Sequence, residues 1–208
     1  MNYENTYFPF MKNDCINEFG NENGQKIYDE ACKCFALLME KADYRNNKNI
    51  KEHFTKNMFP IIAYYLTLLG KGFSKDEAYN LTLKETQKAA HNKKAKNESI
   101  ARLPFAYKLF KFLSKIIIGK NYPKEGWDIE WIKFDNSEIH MNFKRCIYFE
   151  MTSQYGCPEL CTVFCKNDNT AFSGFEPKIH FMRSATIAEG AACCDFHFIR
   201  GKQGNRGC

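Results

Sequence analysis

Proline and glycine are scarce in this 208-residue chain, at 6 and 12 residues. That scarcity excludes collagen-like and low-complexity polymers. Long apolar runs are missing as well. The two longest, Met58 to Leu69 and Phe105 to Ile118, fall short of the about 20 clean residues a membrane span needs, and the second is interrupted by Lys108, Lys111 and Lys115. The opening Met-Asn-Tyr-Glu-Asn-Thr carries neither a basic region nor a small-residue cleavage site, so a cytoplasmic protein with no membrane span is expected. No glycine-rich phosphate loop, Rossmann fingerprint, Ser-His-Asp signature or His-Glu-x-x-His pattern occurs.

What is present argues for a folded chain. The apolar fraction is 44%, with 19 Phe and 11 Tyr, far too aromatic for a solvated coil and long enough to bury a core without covalent staples. Ten cysteines in a cytoplasmic chain are expected to be reduced. Their roles are then packing, metal ligation or chemistry, and seven of the ten follow residue 125. The net charge of +6 is also uneven. Residues 71–125 hold 13 basic and 5 acidic groups, whereas the flanking segments each carry a net charge of −1. With no nucleic-acid motif beside it, this excess reads as a solvated helical face, and nucleic acid is not an expected partner.

Apolar residues recur at helical spacing over residues 25–42 and 50–69, with Pro60 as a kink or break in the second stretch. Ser74-Lys-Asp-Glu77 is a capping box that starts a third helix running to about Ala90. A charged break at Asn92 to Asn97 then precedes a fourth helix over residues 99–118, bent at Pro104. After Gly126 the period changes. Residues 129–134 and the alternating 138–144 predict a hairpin turned at Asp135-Asn136-Ser137. Short helices are expected at 146–155 and 158–165, and two more strands at 178–188 and 194–199. The order predicts an α+β fold. A helical region, 1–125, is expected to pack on a small antiparallel sheet with short helices, 126–208, the two forming one integrated domain.

Chemistry is concentrated near the C-terminus. Cys157, Cys161 and Cys165 are spaced four apart and share a helix face, either as buried thiols or as ligands of a metal. On a strand, Cys194, Phe196 and Phe198 point one way, and Asp195 and His197 the other, which disfavours a Cys-His pair within that strand. Asp195 needs solvent or a partner, and Arg183 is the obvious one; Arg183 could equally hold a substrate carboxylate. Asp168 follows Cys165 either as an orienting acid or as a turn residue, and His140 reads as a lone surface histidine.

Tyr155-Gly-Cys-Pro-Glu-Leu-Cys161, Val163-Phe-Cys165 with Asp168, Phe181-Met-Arg183 with Thr186 and Gly190, and Cys194-Asp-Phe-His-Phe198 together resemble the L-2-amino-thiazoline-4-carboxylic acid hydrolase family. Cys193 and the Cys208 tail depart from its pattern. The resemblance implies a small-molecule substrate, a 2-aminothiazoline-4-carboxylate, opened to a carbamoyl-cysteine by adding water at an amidine-like carbon. Such chemistry needs a base or metal, an acid and a cation. On matching positions, the resemblance offers Asp168 or Glu159 as the base, and Cys165 and Cys194 as nucleophile, acid or, with Cys161, ligands of a divalent metal such as zinc. It offers Arg183, Thr186 and Asp195 for substrate binding. The alternative is a non-catalytic module of the same fold that binds a small ligand or zinc.

Overall fold

Between Phe59 and Leu68 nearly every side chain is apolar, and nearly every one is buried, so this helix is enclosed on all sides rather than along one stripe. It is α4 (Phe59–Gly70) in the order α1 (Met11–Phe19), α2 (Asn21–Glu40), α3 (Lys48–His53), α4, α5 (Lys75–Ala101), α6 (Ala106–Asn121), β1 (Trp127–Phe134), β2 (Glu138–Cys146), α7 (Ile147–Gln154), α8 (Cys161–Phe172), β3 (Ile179–Met182) and β4 (Cys194–Arg200). The computed structural model describes residues 1–201, so the expected loose tail and Cys208 lie outside the described residues. The protein is α+β, and its described cysteines are all free thiols. No helix among the described residues is long and apolar enough to cross a membrane.

Two compact units emerge, each drawing on both halves of the sequence. The first comprises Met1–Ala89 and Met151–Val163; the second comprises Ala90–Glu150 and the chain from Phe164 onward. In the first, α4 lies among Tyr3, Phe8, Met11, Phe35 and Phe54, all fully buried. Tyr3 donates its hydroxyl hydrogen to the Pro60 carbonyl at 2.7 Å. The break expected at Pro60 takes the form of a π-helical turn, Phe54–Met58, with Pro60 in the first turn of α4, where its missing N–H costs least. Ser74 caps α5 as expected, its backbone N–H and hydroxyl both donating to Glu77. The charged stretch 92–97 does not interrupt α5, which is helical throughout. Lys and Ala are strong helix formers and no glycine or proline intervenes, so charge alone supplies no break.

The excess of lysine finds partners in this unit. Lys71 pairs with Glu30, Lys84 with Glu18, and Lys88 with Asp14 at 2.6 Å and Glu85 at 3.2 Å. Glu85 is only 4% exposed, and burial first, then the neighbouring Asp14, pushes its carboxyl up to about 7 against the pull of Lys88. A carboxyl whose folded pKa is raised stabilises the fold at pH values below its unfolded pKa. That contribution is lost as pH rises from the ordinary glutamate range through about 7. Glu85→Gln should therefore raise the melting temperature relative to the parent more at pH 8 than at pH 5.5. An equal offset at the two pH values in thermal melts would show that Glu85 carries no such penalty.

In the second unit, the strands form an antiparallel sheet ordered β1-β2-β4-β3. Asp135 shapes the hairpin turn by accepting hydrogen bonds from the backbone N–H groups of Ser137 and Glu138 and from the Ser137 hydroxyl. Alternation puts Ile139, Met141, Phe143, Cys194, Phe196 and Phe198 on the buried face, and Glu138, His140, Asn142, Asp195 and His197 on the other. Against the buried face, Phe110 of α6 and Phe172 of α8 lie 4.9 and 5.0 Å, ring to ring, from Phe198. Here β3 is shorter than the predicted 178–188. The N–H groups of Ser184 and Ala185 go to the Asp195 carboxylate instead of a strand partner, and residues 187–189 form a single 3-10 turn.

Candidate active site

Arg183 leaves the end of β3 and turns inward, with only 5% of its side chain exposed. Its Nη1 donates to Asp168 Oδ2 at 3.1 Å, and its Nη2 donates to the Cys165 carbonyl at 2.7 Å and to Asn169 Oδ1 at 3.4 Å. The guanidinium carbon lies 5.2 Å from the centre of the Phe196 ring. Asp195, the partner that stood open to it in the sequence, is not the acid the fork holds. The fork ties α8 to the sheet through Asp168, and its planar donors suit several acceptors at once.

Asp168 itself keeps 34% of its side chain exposed. Oδ2 accepts from Arg183, and among the described residues no other hydrogen bond reaches the carboxylate, so Oδ1 is available to water or a ligand. Burial pushes its pKa up, against the opposing charges of Arg183 and Lys93. Lys93, on the second half of α5, shows the mirror-image effect: desolvation lowers its pKa although its side chain retains exposure, and Asp168 opposes the shift. Asp168, with about two-thirds of its side chain covered, thus sits in a shallow recess, and Lys93 lies near enough for each charge to shift the other. Tyr122 joins the same neighbourhood. Its hydroxyl pKa is raised by burial first, and then by Asp168 and Cys146.

Two thiols border this cluster. Cys165 is half-buried on α8. Cys194 opens β4, and its Sγ accepts a hydrogen bond from the Ile187 N–H at 3.2 Å. Burial dominates for Cys194 and pushes its pKa up to about 12, with the Ile187 N–H lowering it and Cys165 and Cys146 raising it further. Thr186 and Asp195 build the loop that delivers that N–H. The Thr186 hydroxyl accepts from Glu189 N–H and donates to Glu189 Oε2 at 2.7 Å, a capping box around the 3-10 turn. Gly190 then closes the turn at φ +91°, a conformation glycine adopts without strain. Asp195 accepts from the Ser184 N–H and hydroxyl and from the Ala185 N–H, bonds that together outweigh burial and lower its pKa.

Thus Cys165, Asp168, Arg183, Thr186, Cys194 and Asp195 all belong to the second unit, whereas Glu159 and Cys161 belong to the first. In that unit Glu159 accepts from the Tyr65 hydroxyl at 2.7 Å and pairs with Lys75 at 3.5 Å. Burial would raise its pKa, but these partners outweigh burial and lower it. Lys93, Tyr122 and Cys146 are members of the recess that the sequence did not single out. Lys93 is hidden in a run of like residues, and only the continuity of α5 marks it. His140 is not alone either: its ring stacks on that of His197 with centroids 3.6 Å apart.

An α+β scaffold with an acid–cation pair and thiols at a recess is a protein class with many activities, and comparison with known proteins narrows it. The L-2-amino-thiazoline-4-carboxylic acid hydrolase family matches residues 48–198, most of the chain, and the protein belongs to that family. No curated protein and no solved structure matches the chain.

Proposed function

We propose that the protein hydrolyses a 2-aminothiazoline-4-carboxylate, with the recess around Asp168 as the active site. The observation that carries this reading is a carboxyl of raised pKa with one free oxygen, fixed by a buried arginine, in a member of a thiazoline hydrolase family. Asp168 Oδ1 takes a proton from water as the water oxygen bonds to ring carbon C2. The C2–S bond then breaks. One water proton ends on the ring nitrogen and the other on the released sulfur, giving a carbamoyl-cysteine. A raised pKa suits Asp168 to both halves of this transfer, base first and acid afterwards.

The thiols take lesser parts. Cys194, held at about 12, is un-ionised at neutral pH and is a poor nucleophile, so it serves as wall and hydrogen-bond partner. Cys165, half-buried on α8, is the more accessible of the two thiols. Glu159, its pKa lowered by Tyr65 and Lys75 against burial, is the weaker candidate base. Thr186 and Asp195 position the loop rather than the substrate.

With Arg183 engaged by three acceptors, the substrate carboxylate falls to Lys93, the other cation close enough to Asp168 to oppose its shift. Steady-state kinetics on the thiazoline carboxylate test the reading. Lys93→Gln should raise KM about 10- to 100-fold with a smaller change in kcat, in line with one lost charge-assisted contact. The penalty should vanish for 2-aminothiazoline, which lacks the carboxylate. No turnover of the thiazoline by the parent protein would reject the hydrolase reading, and an unchanged KM in the variant would reject the role of Lys93.

A further inference from the structure

On the side of the sheet away from the aromatic core, we propose a divalent transition-metal site formed by Glu138, His140 and His197, suited to zinc. Their donor atoms, one per residue, all lie within 4.8 Å of one another. His140 and His197 are direct cross-strand partners on β2 and β4, the two central strands of the sheet. Glu138 lies two residues before His140 on the same face, and its Oε1 is 2.8 Å from His197 Nδ1. Ligands on central strands are held by ladder hydrogen bonds on both sides, which fixes their Cβ positions far better than a loop would.

The chemistry and geometry agree. Two imidazoles and one carboxylate are a donor set that zinc accepts, leaving a fourth tetrahedral position for water or a ligand. Donors on a tetrahedral zinc are about 3.3 Å apart, given zinc–ligand bonds of about 2.0–2.1 Å. The cluster must therefore close by at most about 1.5 Å, within reach of small side-chain rotations. The two imidazole rings stack with centroids 3.6 Å apart and 25° from parallel, which keeps their nitrogens on the same patch of the sheet. Supporting groups are already in place. Asn142 Oδ1 lies 3.2 Å from His140 Nε2, and Lys133 holds Glu138 Oε2 at 3.0 Å, leaving Oε1 facing the histidines. None of these residues belongs to the recess around Asp168.

The test uses the full chain stripped with a chelator and titrated with zinc or cobalt(II) alone. One equivalent should bind, raising the melting temperature by roughly 5–10 °C at a hundredfold excess over Kd. Cobalt(II) should give ligand-field bands without the intense charge-transfer absorption of a thiolate complex, which separates this site from the cysteines. His140→Ala with His197→Ala should abolish that equivalent, with the melting temperature of the metal-free variant confirming that it folds. Should that double variant not fold, Glu138→Gln supplies the decision, with zinc affinity at least tenfold weaker. Undiminished zinc affinity in the folded double variant or in Glu138→Gln, or a thiolate signature with cobalt, would overturn the site.

Discussion

Asp168→Asn is expected to lower turnover of the thiazoline carboxylate by about 10²- to 10⁴-fold, the usual contribution of a positioned proton-transfer group. The substitution keeps the shape and one acceptor oxygen for Arg183, so the loss reports on the proton and not on the packing. The pH profile of kcat/KM provides the second readout. In the parent protein Asp168 must be ionised to accept a proton from water, so activity should fall on acidification. The midpoint should lie above the ordinary aspartate range, because burial raises this carboxyl more than Arg183 and Lys93 lower it. The residual activity of the variant should lose that acidic limb. A variant that keeps both its rate and its acidic limb would remove Asp168 from the mechanism and leave Glu159, in the other unit, as the base to test next.

The α+β class and the order of its elements were legible because they rest on period. Ile139, Met141 and Phe143 alternate with polar neighbours, and the strand they predict is β2. The capping box at Ser74 named the start of α5 for the same local reason. Where the reading failed, competition between distant groups decided. Residues 184 and 185 fall within the strand expected at 178–188, yet the Asp195 carboxylate takes their N–H groups and β3 ends at Met182. The alternation along β4 correctly put Asp195 and His197 opposite Cys194, but nothing local says that His140 is the residue across from His197. That fact belongs to strand register. The same holds for Arg183. Its type announced a fork for an acid, and whether the acid was Asp195, Asp168 or a substrate depended on where α8 lies against the sheet. Lys93 was the least legible, because a lysine run reads as a solvated face unless the path of its helix is known.

The strut that links α8 to the sheet is also where the largest loss of stability is expected. Arg183→Met keeps much of the aliphatic stem but removes the guanidinium over Phe196, all three hydrogen bonds and the only charge in direct contact with Asp168 among the described residues. Breaking a fully buried ion pair from one side costs about 3–5 kcal/mol; with a third of the Asp168 side chain in contact with water, about 2–3 kcal/mol is the better figure. For a chain of this length that corresponds to a melting temperature lower by about 4–12 °C. Activity should fall as well, because an Asp168 without its cation is pushed still higher in pKa and less of it is in the base form at a given pH. Much of the stability loss reflects a carboxylate left behind in the recess, so the two substitutions should not add. In a background of Asp168→Asn, the further change Arg183→Met should cost measurably less than it does alone. A double variant whose destabilisation equals the sum of the singles would mean that the Arg183–Asp168 contact carries no coupling, and that Arg183 holds the fold through the Cys165 carbonyl and the aromatic rings alone.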